Sequence, residues 1–586
     1  MRLPFTFAAL SLVTFAACSS DPDPVPANPT TASSSGSGGA GTGGAGGEGG
    51  TGGTGGTGGL PPSQDIVGEI TRYDYAFNLD TLTARARFTV DVAQPGGDCF
   101  ATSYDLDTIE GVTFGGAPAT SVEIAGGQLR TCGLAVSGGE SLEIGADVTV
   151  PDKNYIGLDV GFDTSVDMDG GTFSYLLSWV GGCDHFGPCD DDPSKLTEFH
   201  FEVTHSPDDV VLCPGTLTTE PGVTRCDIVS TLAPTYSAFA IASDPLWVRA
   251  PYPTIDGVDL VFYEVPSGEL ASTLEPPSVA AFFQWVTGLL GPLPYGSELR
   301  IAGAPTYWLG FEHPANIVLN EGLSGANTSY DNTLMHVFMH EVVHQWAGDR
   351  TTLASAADFV WKEATAEYLS YVFEDEQRPP VEAASSLAYW DAISLQSEHY
   401  PRPTDEPMLE VQDFYGDVYG PGPMVLYVQL ETLLGRDVVL QGIQTFLAAS
   451  GARAVTDLQA SLEAAAGVDL TAYFDAWVFG VGAQEWPTLQ VTTAQVGDQV
   501  TVTVTQQNAS GKLYGCLVEV EVSGATQTAT ALVDFGVAPT GATATATVTL
   551  AEPVASATLD PNHRLVARQS SNVTALAGPK LPVWIF

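Results

Sequence analysis

Short runs of alternating apolar and polar residues, separated by Gly, Asn and Asp, fill residues 65 to about 265. Residues 73–92 and 197–204 show the pattern most plainly. A period of two puts every second side chain on one face, so this stretch predicts an antiparallel β domain. From about 266 to 486 the apolar spacing becomes helical. Residues 333–346 contain neither Gly nor Pro, and Leu334, Val337, Phe338, Val342 and Val343 supply a face to bury. Asp331 or Asn332 can cap the start of that helix and Gly348 can end it. Residues 359–369 are likewise free of breakers and predict a second helix. In 487–586 the Val/Thr alternation returns, at 499–504, 516–522 and 542–550, and predicts a small C-terminal β-sandwich. The fold class is therefore multidomain α+β.

Residues 1–64 do not fit that scheme. Met1-Arg2, an apolar run over 3–17 and then Cys18 describe a secretory signal, too short for a membrane span. With Ala16-Ala17-Cys18 at the junction, the run resembles a bacterial lipoprotein signal in which Cys18 becomes the lipidated first residue. Residues 19–64 hold Asp-Pro repeats and a Gly-Thr-Gly-Ala tract but no core-forming material, which makes them a flexible tether. The expected location is a bacterial outer membrane or cell surface, or otherwise the secreted fraction. The only membrane contact expected is through Cys18. Later apolar runs such as 279–290 are too short or interrupted to cross a bilayer.

Eight cysteines in an exported chain point to disulfides. Pairing sequence neighbours gives Cys99–Cys132, Cys183–Cys189 and Cys213–Cys226, with Cys516 left over. Cys183, His185, Cys189 and the aspartates that follow can also be read as a metal site, but an oxidised short loop is the better reading. Net charge is −50, because 70 acidic residues face only 20 Lys and Arg. Such a field keeps a protein soluble and repels nucleic acid, so no nucleic-acid partner is expected.

The chemistry lies in the helical region, at His340-Glu341-Val342-Val343-His344. Four residues apart on a helix means about 40° of rotation and about 6 Å of rise, so both imidazoles can reach one ion. Glu341 points away from that pair, toward a water rather than the metal. A catalytic zinc takes three protein ligands, and Glu363, nineteen residues beyond His344, fits as the third. Zinc would lower the pKa of a water molecule and Glu341 would accept its proton. His336 extends the histidine row by one more turn, but a straight helix carries it too far along the axis to share the ion. It reads as a supporting or packing residue.

These residues resemble a known family. His340 to Trp346 followed by Gly348 looks like the His-Glu-x-x-His-Gln-Trp-x-Gly signature of the aminopeptidase N family of gluzincin zinc metallopeptidases. Further likenesses are Pro188-Cys189-Asp190 through Lys195, Tyr419-Gly420 through Leu426, and Asp469 through Pro487. The resemblance spans about residues 68 to 565 and implies a thermolysin-like, mainly helical catalytic domain at 266–486. It implies one Zn2+ held by His340, His344 and Glu363, Glu341 as general base, and Tyr419 as donor to the oxyanion. Tyr415 and Tyr427 compete for that last role. It also implies that Glu312, twenty-eight residues before His340, binds the α-ammonium of a peptide substrate. The chain departs from the family at His313, Lys362, Asp349 and Pro421, where the family has Asn, Asn, Asn and Lys. It also leaves no residues for the family's large helical C-terminal domain, which predicts a more open cleft. The expected activity is zinc-dependent hydrolysis of N-terminal residues from peptides. The alternatives are a zinc endopeptidase or epoxide hydrolase of the same fold, or an inactive surface binding protein.

Overall fold

The computed structural model describes residues 64–569, apart from 156–159, 307, 325–332, 378–379, 410–415, 417 and 421. The signal over 1–18, with Cys18, and the tether over 19–64 lie outside the described residues except for Gln64. So do the helix-capping candidates Asp331 and Asn332, the competitor Tyr415, and Pro421.

The N-terminal region is β-rich. Its largest sheet has eight strands, built around Gly68–Asn78, Thr83–Val92 and Thr197–Thr204. In Thr83–Val92 the residues Ala84, Ala86, Phe88, Val90 and Val92 are buried in strict alternation, as a half-buried strand requires. The expectation of a purely antiparallel domain needs one correction. Gly68–Asn78 runs parallel to Thr197–Thr204, with Tyr73 opposite Phe199 and their rings stacked at 5.1 Å. Parallel neighbours need a long crossover, and more than a hundred residues separate these two strands. A five-stranded sheet containing Thr172–Leu177 and Ala240–Asp244 lies in the same region.

The sheet nearest the chemistry is mixed. Its order is Val248–Ala250, Asp259–Glu264, Glu298–Ala304, Asn316–Asn320 and the edge strand Gly310–His313. Its first two strands precede residue 265, because alternation looks the same whichever sheet a strand joins. The helical region includes Pro276–Leu290, Thr333–His344, Phe359–Gln377, Pro380–Ser394, Met424–Leu434, Arg436–Phe446, Val455–Ala466 and Thr471–Trp477. Phe359–Gln377 is buried without interruption from Phe359 to Glu374, as expected of a helix surrounded by others. Gly348, with φ +136°, turns the chain after the Thr333–His344 helix, and a Cβ there would stand 2.8 Å from Lys362 Cε. Only glycine fits that turn without strain.

The C-terminal strands form two sheets, one of four strands around Gln499–Gln506 and one of three around Leu517–Ser523. Val500, Val502 and Val504 of the first and Val518, Val520 and Val522 of the second are fully buried. The disulfides are Cys99–Cys132, Cys183–Cys189 and Cys213–Cys226, and Cys516 is a buried free thiol. The sulfurs of Cys183 and Cys189 are therefore bonded to each other, which removes them as metal ligands. Among the described residues no helix is long and apolar enough to cross a membrane.

Candidate metal centre

The Thr333–His344 helix packs between the Gly310–His313 strand and the Phe359–Gln377 helix. Helical spacing brings the His340 and His344 rings to 4.7 Å between centroids. Glu363 Oε2, from the neighbouring helix, lies 3.2 Å from His340 Nε2 and 3.3 Å from His344 Nε2. All three residues are buried, at 1%, 1% and 6% exposure. The openness expected of the cleft thus does not extend to these side chains.

The donor set fits a divalent ion. His340 Nδ1 is 3.1 Å from Glu367 Oε2, and His344 Nδ1 is 2.8 Å from the Ala347 carbonyl. Both partners accept, so each Nδ1 carries a proton, and with a metal bound each ring would present its Nε2 lone pair on the side of Glu363. Two imidazole nitrogens and a carboxylate oxygen thus face one another. That set matches the three protein ligands of a catalytic zinc, with the outer ring nitrogens fixed by acceptors as such sites require. Burial opposes the charge on Glu363, but Lys362, His344 and His340 hold its carboxyl well below the ordinary range.

Glu341, the residue after His340, faces the Gly310–His313 strand. A Cβ on Gly310 would come within 2.3 Å of Glu341 Oε1, so the strand can pass this carboxylate only at a glycine. Its Oε2 is buried and has no hydrogen-bond partner. Ligand atoms of Glu312, Glu341 and His344 lie within 4.8 Å of one another, so the three predicted groups converge. Burial raises the Glu341 carboxyl well above its usual value; His340 and Lys362 oppose this and Glu312 and Glu363 add to it.

Glu312 sits on the edge strand opposite Ile317 and is buried. Gln345 holds this hairpin to the metal helix: the Ala315 N–H donates to its Oε1 at 2.9 Å, and its Nε2 donates to the His313 carbonyl at 2.9 Å and to Asp349 Oδ2 at 3.1 Å. The His313 ring is buried, and its Nδ1–H donates to the Ser237 carbonyl at 2.9 Å. Burial, partly offset by Glu312, lowers its pKa to about 4, so it is neutral at pH 7. Lys362 Nζ lies 2.5 Å from Glu363 Oε1 and 2.6 Å from Glu312 Oε1, and 4.4 Å from the centroid of the Trp179 ring. The contact with Glu312 is an ion pair.

Residues 312–477 match the model of the peptidase family M1 domain. This chain carries an M1 peptidase domain. Among curated proteins, human aminopeptidase N is 25% identical over 292 residues, covering 44% of this chain and 29% of the relative. Probable aminopeptidase 1 of Sulfurisphaera tokodaii is 26% identical over 212 residues, covering 34% and 25% respectively. The matched segments thus span less than a third of these relatives. Legionella pneumophila aminopeptidase A, solved in complex with aspartic acid, superposes with a TM-score of 0.70 at 14% identity, over 88% of this chain and 61% of that one. At that identity the likeness establishes the fold alone.

Within the M1 domain, Tyr419 is placed differently from His340, His344 and Glu363. Its ring stacks on His399 at 3.7 Å, and its hydroxyl accepts the Glu398 N–H at 2.7 Å. The adjoining Gly420 approaches Glu363, where a Cβ would be 3.3 Å from Glu363 Cγ. Tyr427 instead meets Thr365 Oγ1 at 2.8 Å and stacks on Tyr368 in the interior. His336 pairs with Glu367 and Glu374, each at 3.0 Å, and stands apart from the triad.

The residues that support the centre are not marked by the motif spacing. Glu367 accepts from His340, His336 and Trp390 Nε1. Its position four residues after Glu363 puts both carboxylates on one helix face, a signal that was available. Trp179 comes from the N-terminal β region, and nothing local in its sequence marks it.

Proposed function

We propose that this protein is a zinc-dependent aminopeptidase that removes N-terminal residues from peptides. The observation that carries this reading is the convergence of His340, His344 and Glu363, with the carboxylates of Glu312 and Glu341 close to the same His344. A Glu312 turned away from the centre would have favoured the endopeptidase or epoxide-hydrolase alternative.

Zinc held by His340, His344 and Glu363 would polarise a carbonyl and lower the pKa of a water molecule. Glu341 accepts the proton of the attacking water at Oε2 and passes it to the departing amine. Tyr419 donates to the oxyanion. Its oxygen accepts from Glu398 N–H, which polarises the phenol and makes it a stronger donor. Glu312 receives the substrate's amino end, and Gln345 fixes the hairpin that carries it.

The two C-terminal sheets we read as a small β-sandwich. Export and lipid anchoring at Cys18 are part of the same proposal, supported by residues 1–18 and by three disulfides, which persist in oxidising compartments. A peptide with a free amino end is the expected partner.

Metal analysis of purified wild-type, Glu341→Gln and His344→Ala protein tests the assignment. One zinc per chain in wild type and Glu341→Gln, with hydrolysis lost in the latter by about a thousandfold, supports it. Zinc retained at full occupancy in His344→Ala contradicts it.

A further inference from the structure

The ammonium of Lys362 is already seated on the carboxylate that the proposed function reserves for the substrate. It touches Glu312 Oε1 at 2.6 Å and Glu363 Oε1 at 2.5 Å, using the Glu363 oxygen that does not face the histidines. The side chain is fully buried. Trp179 closes one side, with its ring centroid 4.4 Å from Nζ, and the turn at Gly348 presses on the methylene stem. A lysine enclosed in this way cannot swing out to make room, so its charge is a fixed part of the site.

The Lys362 ammonium already pairs with the Glu312 carboxylate before any substrate arrives. Without it, a substrate ammonium would be the cation at that carboxylate. With Lys362 present, a substrate ammonium enters beside a like charge and must share its acceptor.

We propose that Lys362 is a specificity-determining residue that stands in for the substrate's α-ammonium at Glu312, so that the enzyme accepts amino ends carrying no charge, such as N-formylated ones, alongside free ones. The inference rests on the peptidase reading and narrows its substrate class. It assigns Lys362 no part in bond breaking.

Steady-state kinetics of the zinc-loaded full chain with an aminoacyl anilide and its N-formyl twin provide the first test, on wild type, Lys362→Gln and Lys362→Arg. In wild type the two kcat/KM values fall within about tenfold of each other. Lys362→Gln raises the preference for the free amine at least tenfold through KM, with kcat little changed, and Lys362→Arg restores the wild-type ratio. A wild-type preference for the free amine above a thousandfold, or a ratio unmoved in Lys362→Gln, overturns the proposal. Calorimetry gives a second readout that needs no turnover: leucine against 4-methylpentanoate, and aspartate against succinate. Wild type binds the members of each pair within tenfold, and Lys362→Gln favours the amine-bearing member. A hundredfold amine preference in wild type, or no binding of any of the four, overturns the proposal. If Lys362→Gln does not fold, the wild-type ratios decide. If zinc-loaded wild type cleaves neither anilide, the peptidase reading fails, and the calorimetric ratios still judge Lys362.

Discussion

His340 Nδ1 lies 3.1 Å from Glu367 Oε2, a carboxylate held at the same time by His336 and Trp390. The contact fixes the ring orientation and leaves Nε2 toward Glu363. Outer partners of this kind are worth about 10–100-fold in metal affinity. Glu367→Ala should therefore weaken zinc binding by one to two orders of magnitude in a competitive chelator titration, and Glu367→Gln should weaken it less. An unchanged dissociation constant in Glu367→Ala would remove Glu367 from the account.

Gln345 makes three buried hydrogen bonds that join the metal helix to the Glu312 hairpin and to Asp349. Gln345→Ala strands the Ala315 N–H and the His313 carbonyl, and each orphaned group costs about 1–3 kcal/mol. Urea unfolding should show a loss of about 2–4 kcal/mol. A loss below about 0.5 kcal/mol would mean that the hairpin is held by other contacts.

The helix that carries His340 and His344, the nearness of Glu363 and the disulfide pairing were legible because each is written in short-range spacing. His340 and His344 share a face by helical geometry, and three neighbour pairs of cysteines match the three bonds in the structure. The position of His336 also followed from the rise of a straight helix. What spacing could not supply was contact between distant segments. Lys362 meets Glu312 fifty residues upstream, and Trp179 reaches the site from the segment that follows the strand Thr172–Leu177. The parallel pairing of Gly68–Asn78 with Thr197–Thr204 was hidden for a related reason, since alternation records which face is buried and not strand direction.

His313 provides a pH signature. Burial lowers its pKa from 6.5 to about 4 in the folded chain, so between those values the unfolded chain binds more protons. Its contribution is constant above pH 6.5 and turns against folding as pH falls toward 4, by about 3 kcal/mol in total. His313→Gln can still donate to the Ser237 carbonyl but does not titrate. Its stability should fall less steeply than that of wild type over this window, measured by urea unfolding at successive pH values. Equal slopes for the two proteins would show that His313 does not titrate as described.

The central claim is that His340, His344 and Glu363 hold the ion on which hydrolysis of amino-end peptide bonds depends. Its most direct test is release of the chromophore from aminoacyl anilides by purified protein before chelation, after chelation, and after one equivalent of zinc is returned. The expected result is hydrolysis, its loss on chelation, and its return with zinc. Hydrolysis that persists in protein shown to be free of metal would contradict it, as would silence across a full range of aminoacyl side chains from protein loaded with one zinc per chain.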